Sequence, residues 1–237
     1  HYGMPGTVII EEEHLKNHTM DMMLGFWNMG YRKQIFVNNH GHFWVFESAI
    51  HEFMKKYQLP GIYRVLDWHR VSRKFFRTKQ QGEGELETPM GFFHADEAET
   101  SLALLFVPEM VNMEYAVNTE LKGYLPTGHT ENATDSLGRP SKWSDGEGHI
   151  PLEWVGNPEG VIGKAKLGDA RKVKRAVAYF ARYLTLLIDE ILGVFPPGRV
   201  PPVNEVTYRS EEEMKPYLLL PGSKGWKPVY GLFKRLD

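Results

Sequence analysis

Apolar residues recur at helical spacing in several parts of the chain and form two short continuous runs between them. Helical patterns cover residues 8–33, about 95–108, and the stretches 44–57 and 169–192. In the first of these, acidic residues crowd the first turn and Gly30 follows the end of the helix. The runs "RKQIFVNN" and "IYRVLDW" predict short buried strands on either side of the helix at 44–57. Strand, helix and strand in this order favour an α/β fold with a parallel sheet and helices on both faces.

The length of 237 residues predicts a single domain over residues 1–237. Residues 118–166 are rich in Gly, Pro and Trp and show little periodicity, which is typical of a long loop at a substrate pocket or an interface. Residues 194–237 form a proline-rich C-terminal extension with one short helix. No apolar run approaches the roughly 18 residues that span a bilayer, so we expect no membrane insertion.

Charge and cysteine content limit the chemistry. The net charge is −2, from 28 basic and 30 acidic residues, which argues against nucleic-acid binding. The chain contains no cysteine, so a metal ion must be held by His, Asp, Glu or water.

The stretch "VNNHGHFWVF" places His40 and His42 directly after the first predicted strand. Ligands of open parallel sheets bind beyond the carboxyl ends of the strands, and neutral imidazole is a common ligand of divalent transition metals. Gly41 lets the backbone turn sharply between the two rings. The alternative is that both histidines are ordinary polar loop residues.

The stretch "HADEAETS" places His94 at the entry to a helix, with Asp96, Glu97 and Glu99 in its first turn. These carboxylates complement the helix dipole, so capping explains part of the pattern. A histidine beside carboxylates is also a suitable general acid or base. Both interpretations stay open on these residues alone.

His14 and His18 are four residues apart, a spacing that on a helix can bind zinc. Leu15 stands where the HExxH arrangement has its catalytic glutamate. We therefore favour a solvated helix face.

Taken together, "PGTV", "VNNHGH", "HADEAETSLALLFVPEMVNM" and "NPEGVIGKAKLGDARK" resemble the creatininase-type metal-dependent hydrolases in order and spacing, over residues 1 to about 192. The resemblance implies a homo-oligomer with two divalent metal ions per site, Zn, Mn or Fe. It implies that His40 is a metal ligand and that His42 stands where creatininase has a carboxylate ligand. It further implies that His94 is a proton shuttle near the substrate. Glu99 lies one helical turn after Ala95, and we expect it to orient a ligand or cap the helix.

The substrate-contacting positions depart from creatininase. Met90 and Gly91 replace the aromatic and acidic residues that contact creatinine, and Gly41 replaces a tyrosine. Creatinine is therefore not the expected substrate. We expect Gly41, Met90, Trp143 and Trp154 to bind the substrate, with the segment around the two tryptophans shaping the pocket or a subunit contact.

The resemblance implies a cytoplasmic hydrolase that opens a small cyclic substrate by attack of metal-bound water on a carbonyl. Cyclic amides are the familiar substrates of the family. The segments "GYLPTGH" and "FPPGRVPPVNEVTYR" look most like the branch linked to inositol catabolism, which acts on a cyclic diketone, 3-dehydro-scyllo-inosose. The alternative is a non-catalytic subunit or small-molecule binding protein that lacks a full metal site.

The family's other metal ligands come from an E-x-H-G-x-H-x-P-x-x-x-D stretch that precedes "PGT". We therefore expect an N-terminal segment, covalently continuous or cleaved, that supplies these ligands. We expect the same segment to supply the N-terminal strand and helix that the sheet lacks by comparison with the family. A sheet without that strand would keep unpaired backbone groups at its edge.

Overall fold

The computed structural model of the protein describes residues 8–40, 43–88, 94–119, 160–203 and 209–229. In chain order the helices and strands are α1 Glu12–Asn28, β1 Lys33–Asn38, α2 Phe43–Tyr57, β2 Ile62–Asp67, the short α3 Trp68–Val71, α4 Glu97–Phe106, α5 Lys174–Val194 and α6 Glu211–Leu218. Turns of 3₁₀ helix occupy Arg73–Phe75, Pro108–Met110, Met113–Tyr115, Ala165–Leu167 and Ala170–Val173.

The chain divides into two compact units. The first comprises the described residues of Ile10–Val71 and Arg182–Asp237, and the second comprises those of His1–Ile9 and Ser72–Ala181. Helix α5 contributes its first part to the second unit and its last part to the first. The prediction of one domain over residues 1–237 stays a prediction.

Strands β1 and β2 pair in parallel in the first unit. Lys33 is opposite Ile62 at the start of the pair, and Asn38 is opposite Asp67 at its end. Helix α2 connects the two strands, as parallel pairing requires. The predicted parallel strand–helix–strand unit is confirmed.

The core of the first unit lies where α1, α2 and α6 meet the strands. Its fully buried side chains include Met23, Trp27, Phe53 and Met214. The buried Trp27 indole donates a hydrogen bond from Nε1 to the Pro60 carbonyl at 3.2 Å, so its polar atom is satisfied inside the core. This packing holds the two strands, and polar residues follow the carboxyl end of each strand.

The end of α1 is fixed by the glycine that the sequence placed after it. Gly30 has φ +101°, and its N–H donates to the Trp27 carbonyl while the Tyr31 N–H donates to the Phe26 carbonyl. The Phe26 and Tyr31 rings pack edge to face, 6.0 Å apart. This is a Schellman motif, in which glycine takes the left-handed position and an apolar contact closes the turn.

The second unit packs α4 against the turns that precede α5. Asp169 accepts a hydrogen bond from the Arg171 N–H at 2.9 Å and begins the 3₁₀ turn Ala170–Val173, so the α-helix predicted from residue 169 starts at Lys174. Val173 and Ala176 are fully buried. Along the described parts of the chain, no helix is both long and apolar enough to cross a membrane.

Candidate functional site

The carboxyl ends of β1 and β2 form one candidate site, in the first unit. Because the strands are parallel and Asn38 is opposite Asp67, the residues that follow them emerge at the same edge of the sheet. Asn39 and His40 follow β1, and α3 begins directly after β2. Polar groups beyond strand carboxyl ends are where α/β proteins bind ligands.

The side-chain amide of Asn39 links the two strand ends. Its Oδ1 accepts hydrogen bonds from the Trp68 indole and from His69 Nε2, the latter at 3.0 Å. The neighbouring Asn38, which is buried, donates from Nδ2 to the His40 carbonyl. The loop that carries His40 is therefore held to both strands by side-chain hydrogen bonds.

His69 is neutral at physiological pH. Burial, together with the charge of nearby His40, lowers the pKa of His69 to about 4. Since the amide oxygen of Asn39 can only accept, the nitrogen that faces it, Nε2, carries the proton of the neutral ring. A proton fixed on Nε2 leaves the lone pair on Nδ1.

Asp67 and Arg70 also lie at the carboxyl edge of the two strands. One Asp67 carboxylate oxygen accepts the His69 N–H at 3.0 Å, and the other lies 3.5 Å from Arg70 Nε. Burial raises the pKa of Asp67, and the positive charge of Arg70 opposes that rise. The Arg70 guanidinium lies 4.7 Å above the centre of the Phe43 ring, at the first residue of α2. The segment after β2 thus contacts the chain on both sides of His40.

His94 belongs to a second cluster, in the second unit. Its backbone exchanges two hydrogen bonds with Ile162, at 2.7 and 3.3 Å, so the start of "HADEAETS" is fixed to the segment before α5. Burial lowers the pKa of His94, against the opposing charge of Asp96. The ring is therefore neutral near pH 7 and able to accept a proton.

The first turn of α4 uses its carboxylates in different ways. Asp96 is the N-cap, and its Oδ1 accepts from the Ala98 and Glu99 N–H groups at 3.0 Å. Glu99 accepts the Ala95 N–H at 2.6 Å, and Ala95 has the left-handed φ of +47°. Burial raises the pKa of Glu99, partly offset by that hydrogen bond. Asp96 and Glu99 therefore shape the backbone that directly follows His94.

Glu97 is fully buried and is the centre of a network that sequence reasoning missed. Its carboxylate accepts from the backbone N–H groups of Glu87 and Thr88, from the Thr88 hydroxyl at 2.7 Å and from Lys172 Nζ at 2.7 Å. Burial raises the pKa of Glu97, but these donors outweigh burial and hold it below its ordinary value. Glu97 joins α4 to the loop before it and to the turn before α5.

The structure describes three of the predicted site residues. His40 lies at the end of β1 in the first unit, while His94 and Glu99 lie in the second, and each is described within its own unit. The remaining predicted residues lie outside the described residues: Gly41, His42, Met90, Trp143 and Trp154. Among the residues that the structure describes, no group of three His, Asp or Glu side chains is arranged to hold a metal ion. The roles assigned to these residues stay predictions.

His69 could have been found from the sequence by the same rule that selected His40. The rule that selected His40, a histidine just beyond the carboxyl end of a buried strand, applies equally to "IYRVLDWHR". His14 and His18 are exposed on α1, in agreement with the predicted solvated helix face.

The fold and the candidate site define the class of protein. It is an α/β protein with a parallel strand pair and polar residues at the carboxyl ends of its strands. The family model described as "Creatininase: Creatinine amidohydrolase" matches residues 1–188. The chain belongs to the creatininase family. The predicted family is confirmed, and so is the hydrolase class at the level of the family.

A curated relative and two solved structures illustrate the match. The 3-dehydro-scyllo-inosose hydrolase of Thermotoga maritima is 43% identical over 230 residues, which cover 97% of this chain and 73% of the relative. A Bacteroides fragilis structure, provisionally named a creatinine amidohydrolase, is 21% identical, with a TM-score of 0.57 over 80% of this chain and 65% of its own. A creatininase variant of the Zn–Zn type is 17% identical, with a TM-score of 0.57 over 82% of this chain and 69% of its own.

The two structures confirm the predicted creatininase-like α/β fold. The chain spans less than two thirds of the length of the Bacteroides fragilis protein and 73% of the length of the Thermotoga maritima relative.

Proposed function

We propose that this protein is a metal-dependent hydrolase that opens the ring of a small cyclic diketone such as 3-dehydro-scyllo-inosose. The observation that carries the proposal is the 43% identity, over 97% of the chain, with the relative that is named for this substrate. The replacement of creatinine-contacting residues by Met90 and Gly91 argues against creatinine itself as the substrate. The same relationship supports a place in inositol catabolism.

The residues at the end of β1 suit a divalent metal. His40 is exposed at the carboxyl edge of the sheet, and imidazole is a ligand for Zn, Mn and Fe alike. Solved creatininases are named for zinc and for manganese forms. We assign His40 and His42 as ligands, with the remaining ligands outside the described residues. The assignment of two metal ions per site rests on the family resemblance.

A divalent ion in such a site lowers the pKa of water and polarises a carbonyl. Opening a cyclic diketone with water forms one C–O bond and breaks one C–C bond, and the departing carbon takes up a proton. We assign this proton transfer to His94, whose burial keeps the ring neutral so that an imidazole nitrogen can accept a proton and then return it.

Glu99 supports His94 as a positioning residue. Its carboxylate holds the N–H of Ala95, the residue that follows His94, at 2.6 Å. The left-handed backbone at Ala95 costs free energy for a residue with a side chain, and this hydrogen bond stabilises it. The expectation that Glu99 orients a ligand or caps the helix stays a prediction.

The substrate contacts and partners complete the proposal. The predicted substrate-binding residues are unchanged: Gly41, Met90, Trp143 and Trp154. We also keep three predictions, namely a homo-oligomer, an N-terminal segment that supplies metal ligands, and a cytoplasmic location. Exposed apolar side chains on α5, among them Tyr183, Leu186 and Val194, support self-association.

The test is hydrolysis by the purified protein after metal removal and reloading with Zn²⁺ or Mn²⁺. Ring opening of the diketone releases a carboxylic acid, so we expect uptake of one equivalent of base in a pH-stat, dependent on metal. Creatinine is the comparison substrate, with creatine formation followed by chromatography, because its ring opening gives a zwitterion and consumes no base. Turnover of creatinine but not of the diketone would overturn the substrate assignment. Binding of the diketone without turnover under any metal would favour the binding-protein alternative.

A further inference from the structure

Asn39 and His40 are held in place without burial. Both side chains are exposed, so burial does not fix these two residues. Hydrogen bonds from the adjacent strand end add to the one that Asn38 donates to the His40 carbonyl. Trp68 and His69 donate these bonds, and both reach the same atom, Asn39 Oδ1.

The two donors differ in what fixes them. The Trp68 side chain is buried, so its position follows from packing. The backbone of His69 is held by Asp67, whose carboxylate accepts the His69 N–H at 3.0 Å and also faces Arg70. The chain Asp67, His69, Asn39 therefore runs from the end of β2 to the residue next to His40.

Arg70 contacts the far side of the same loop. Its guanidinium lies over the Phe43 ring, at the residue where α2 begins. The segment 67–70 thus touches residue 39 before His40 and residue 43 after it. These contacts hold the chain on both sides of His40.

We propose that His69 is a positioning residue that orients His40, through Asn39, for divalent metal binding. The proposal rests on the proposed function, because only there is His40 a ligand. Partners of this kind around a metal ligand typically contribute 10- to 100-fold to metal affinity. His69 acts through a neighbour of the ligand, so we expect a loss of roughly 10-fold when its donor is removed.

The experiment compares His69→Leu, which removes the donor, with His69→Gln, which keeps a nitrogen donor at a similar distance from the backbone. The exposed His51 on α2 provides the control His51→Leu. Zn²⁺ affinity of the metal-free proteins is measured by competition with a chromophoric chelator, alongside thermal unfolding without metal. We expect weaker Zn²⁺ binding in His69→Leu and affinity near that of the unsubstituted protein in His69→Gln and His51→Leu.

A double-mutant cycle with Asn39→Ala tests whether His69 acts on His40 through Asn39. Because His69 acts through Asn39, adding His69→Leu to Asn39→Ala is expected to cause little further loss of Zn²⁺ affinity. Unchanged affinity in His69→Leu, a Gln variant as weak as the Leu variant, or additive losses would overturn the positioning role. If His40→Ala weakens Zn²⁺ binding while His69→Leu does not, only this inference fails. If His40→Ala has no effect on binding, the proposed metal site fails as well.

Discussion

Replacing Glu97 by Gln tests whether the buried network of the second unit stabilises it. The substitution keeps the size of the side chain but removes the charge that faces Lys172, whose side chain is only 14% exposed. It also turns an NH₂ group toward donors, so at least one donor loses its acceptor. Breaking a buried ion pair by removing one partner costs about 3–5 kcal/mol.

The size of the effect follows from the contacts. An unsatisfied buried donor alone costs about 1–3 kcal/mol. The loss of one of the two carboxylates that face Lys172 adds to that, although this lysine keeps Glu87 and the Leu167 carbonyl as acceptors. At roughly 2–4 °C per kcal/mol for a chain of this size, a loss of about 3 kcal/mol lowers the midpoint of thermal unfolding by roughly 6–12 °C. Urea unfolding followed by circular dichroism gives the free energy directly.

The matched control is Glu87→Gln. Glu87 pairs with the same lysine at 2.8 Å, but its side chain is 63% exposed. Exposed ion pairs contribute about 0–1 kcal/mol, so we expect little change. The reasoning would be refuted if the free energy of unfolding fell equally in the two variants. It would also be refuted if that free energy fell by less than about 1 kcal/mol in Glu97→Gln.

The pH dependence gives a second check on Glu97. Its pKa is lower in the folded protein than its ordinary value. The ionised form therefore contributes stability that is fully present above the unfolded pKa. This contribution is lost as pH falls below the ordinary glutamate pKa and through the lower folded pKa. In Glu97→Gln the stability difference from the unsubstituted protein should shrink across that range. A difference that grows toward acid pH would show that the sign is wrong.

The remaining predictions concern the site and one glycine. His40→Ala should reduce metal content and activity together while circular dichroism stays unchanged, and His42→Ala should do so more weakly; full metal occupancy in His40→Ala contradicts the ligand assignment. His94→Ala should reduce turnover by roughly 10²–10⁴-fold with metal content intact, and near-normal turnover would limit His94 to a structural role. Gly163→Ala should destabilise by roughly 2 kcal/mol or more in urea unfolding, because Gly163 has φ +130° and a Cβ there would lie 2.5 Å from Asp96 Cβ; unchanged stability contradicts this.

Sequence periodicity predicted the elements well where local chemistry decides them. The Gly30 turn ends α1 through contacts between residues five positions apart or fewer, and the two strands needed only apolar runs and a connecting helix. The start of α5 was predicted five residues early, because Asp169 caps a 3₁₀ turn first. A helical apolar pattern does not distinguish 3₁₀ from α geometry over one turn.

The candidate site was predictable only in part. A rule about strand ends found His40 and, applied to the next strand, also indicates His69. The role of Glu97 could not be predicted from the sequence by such a rule. "HADEAETS" offers three carboxylates to a helix start, but only the tertiary fold decides that Asp96 caps the helix and Glu97 turns inward to Lys172.

The bond between Glu97 and Lys172 also bears on the lifetime of the folded state. The two residues are 75 positions apart, and the Asp169 N–H reaches the Ser101 hydroxyl across 68 positions. Contacts that close such long loops form after local helices, because the entropy of closure must be offset first. We therefore expect the network to be absent from the transition state of folding. Weakening it should accelerate unfolding and leave the folding rate nearly unchanged, so this pair governs how long the second unit stays folded rather than how quickly it folds.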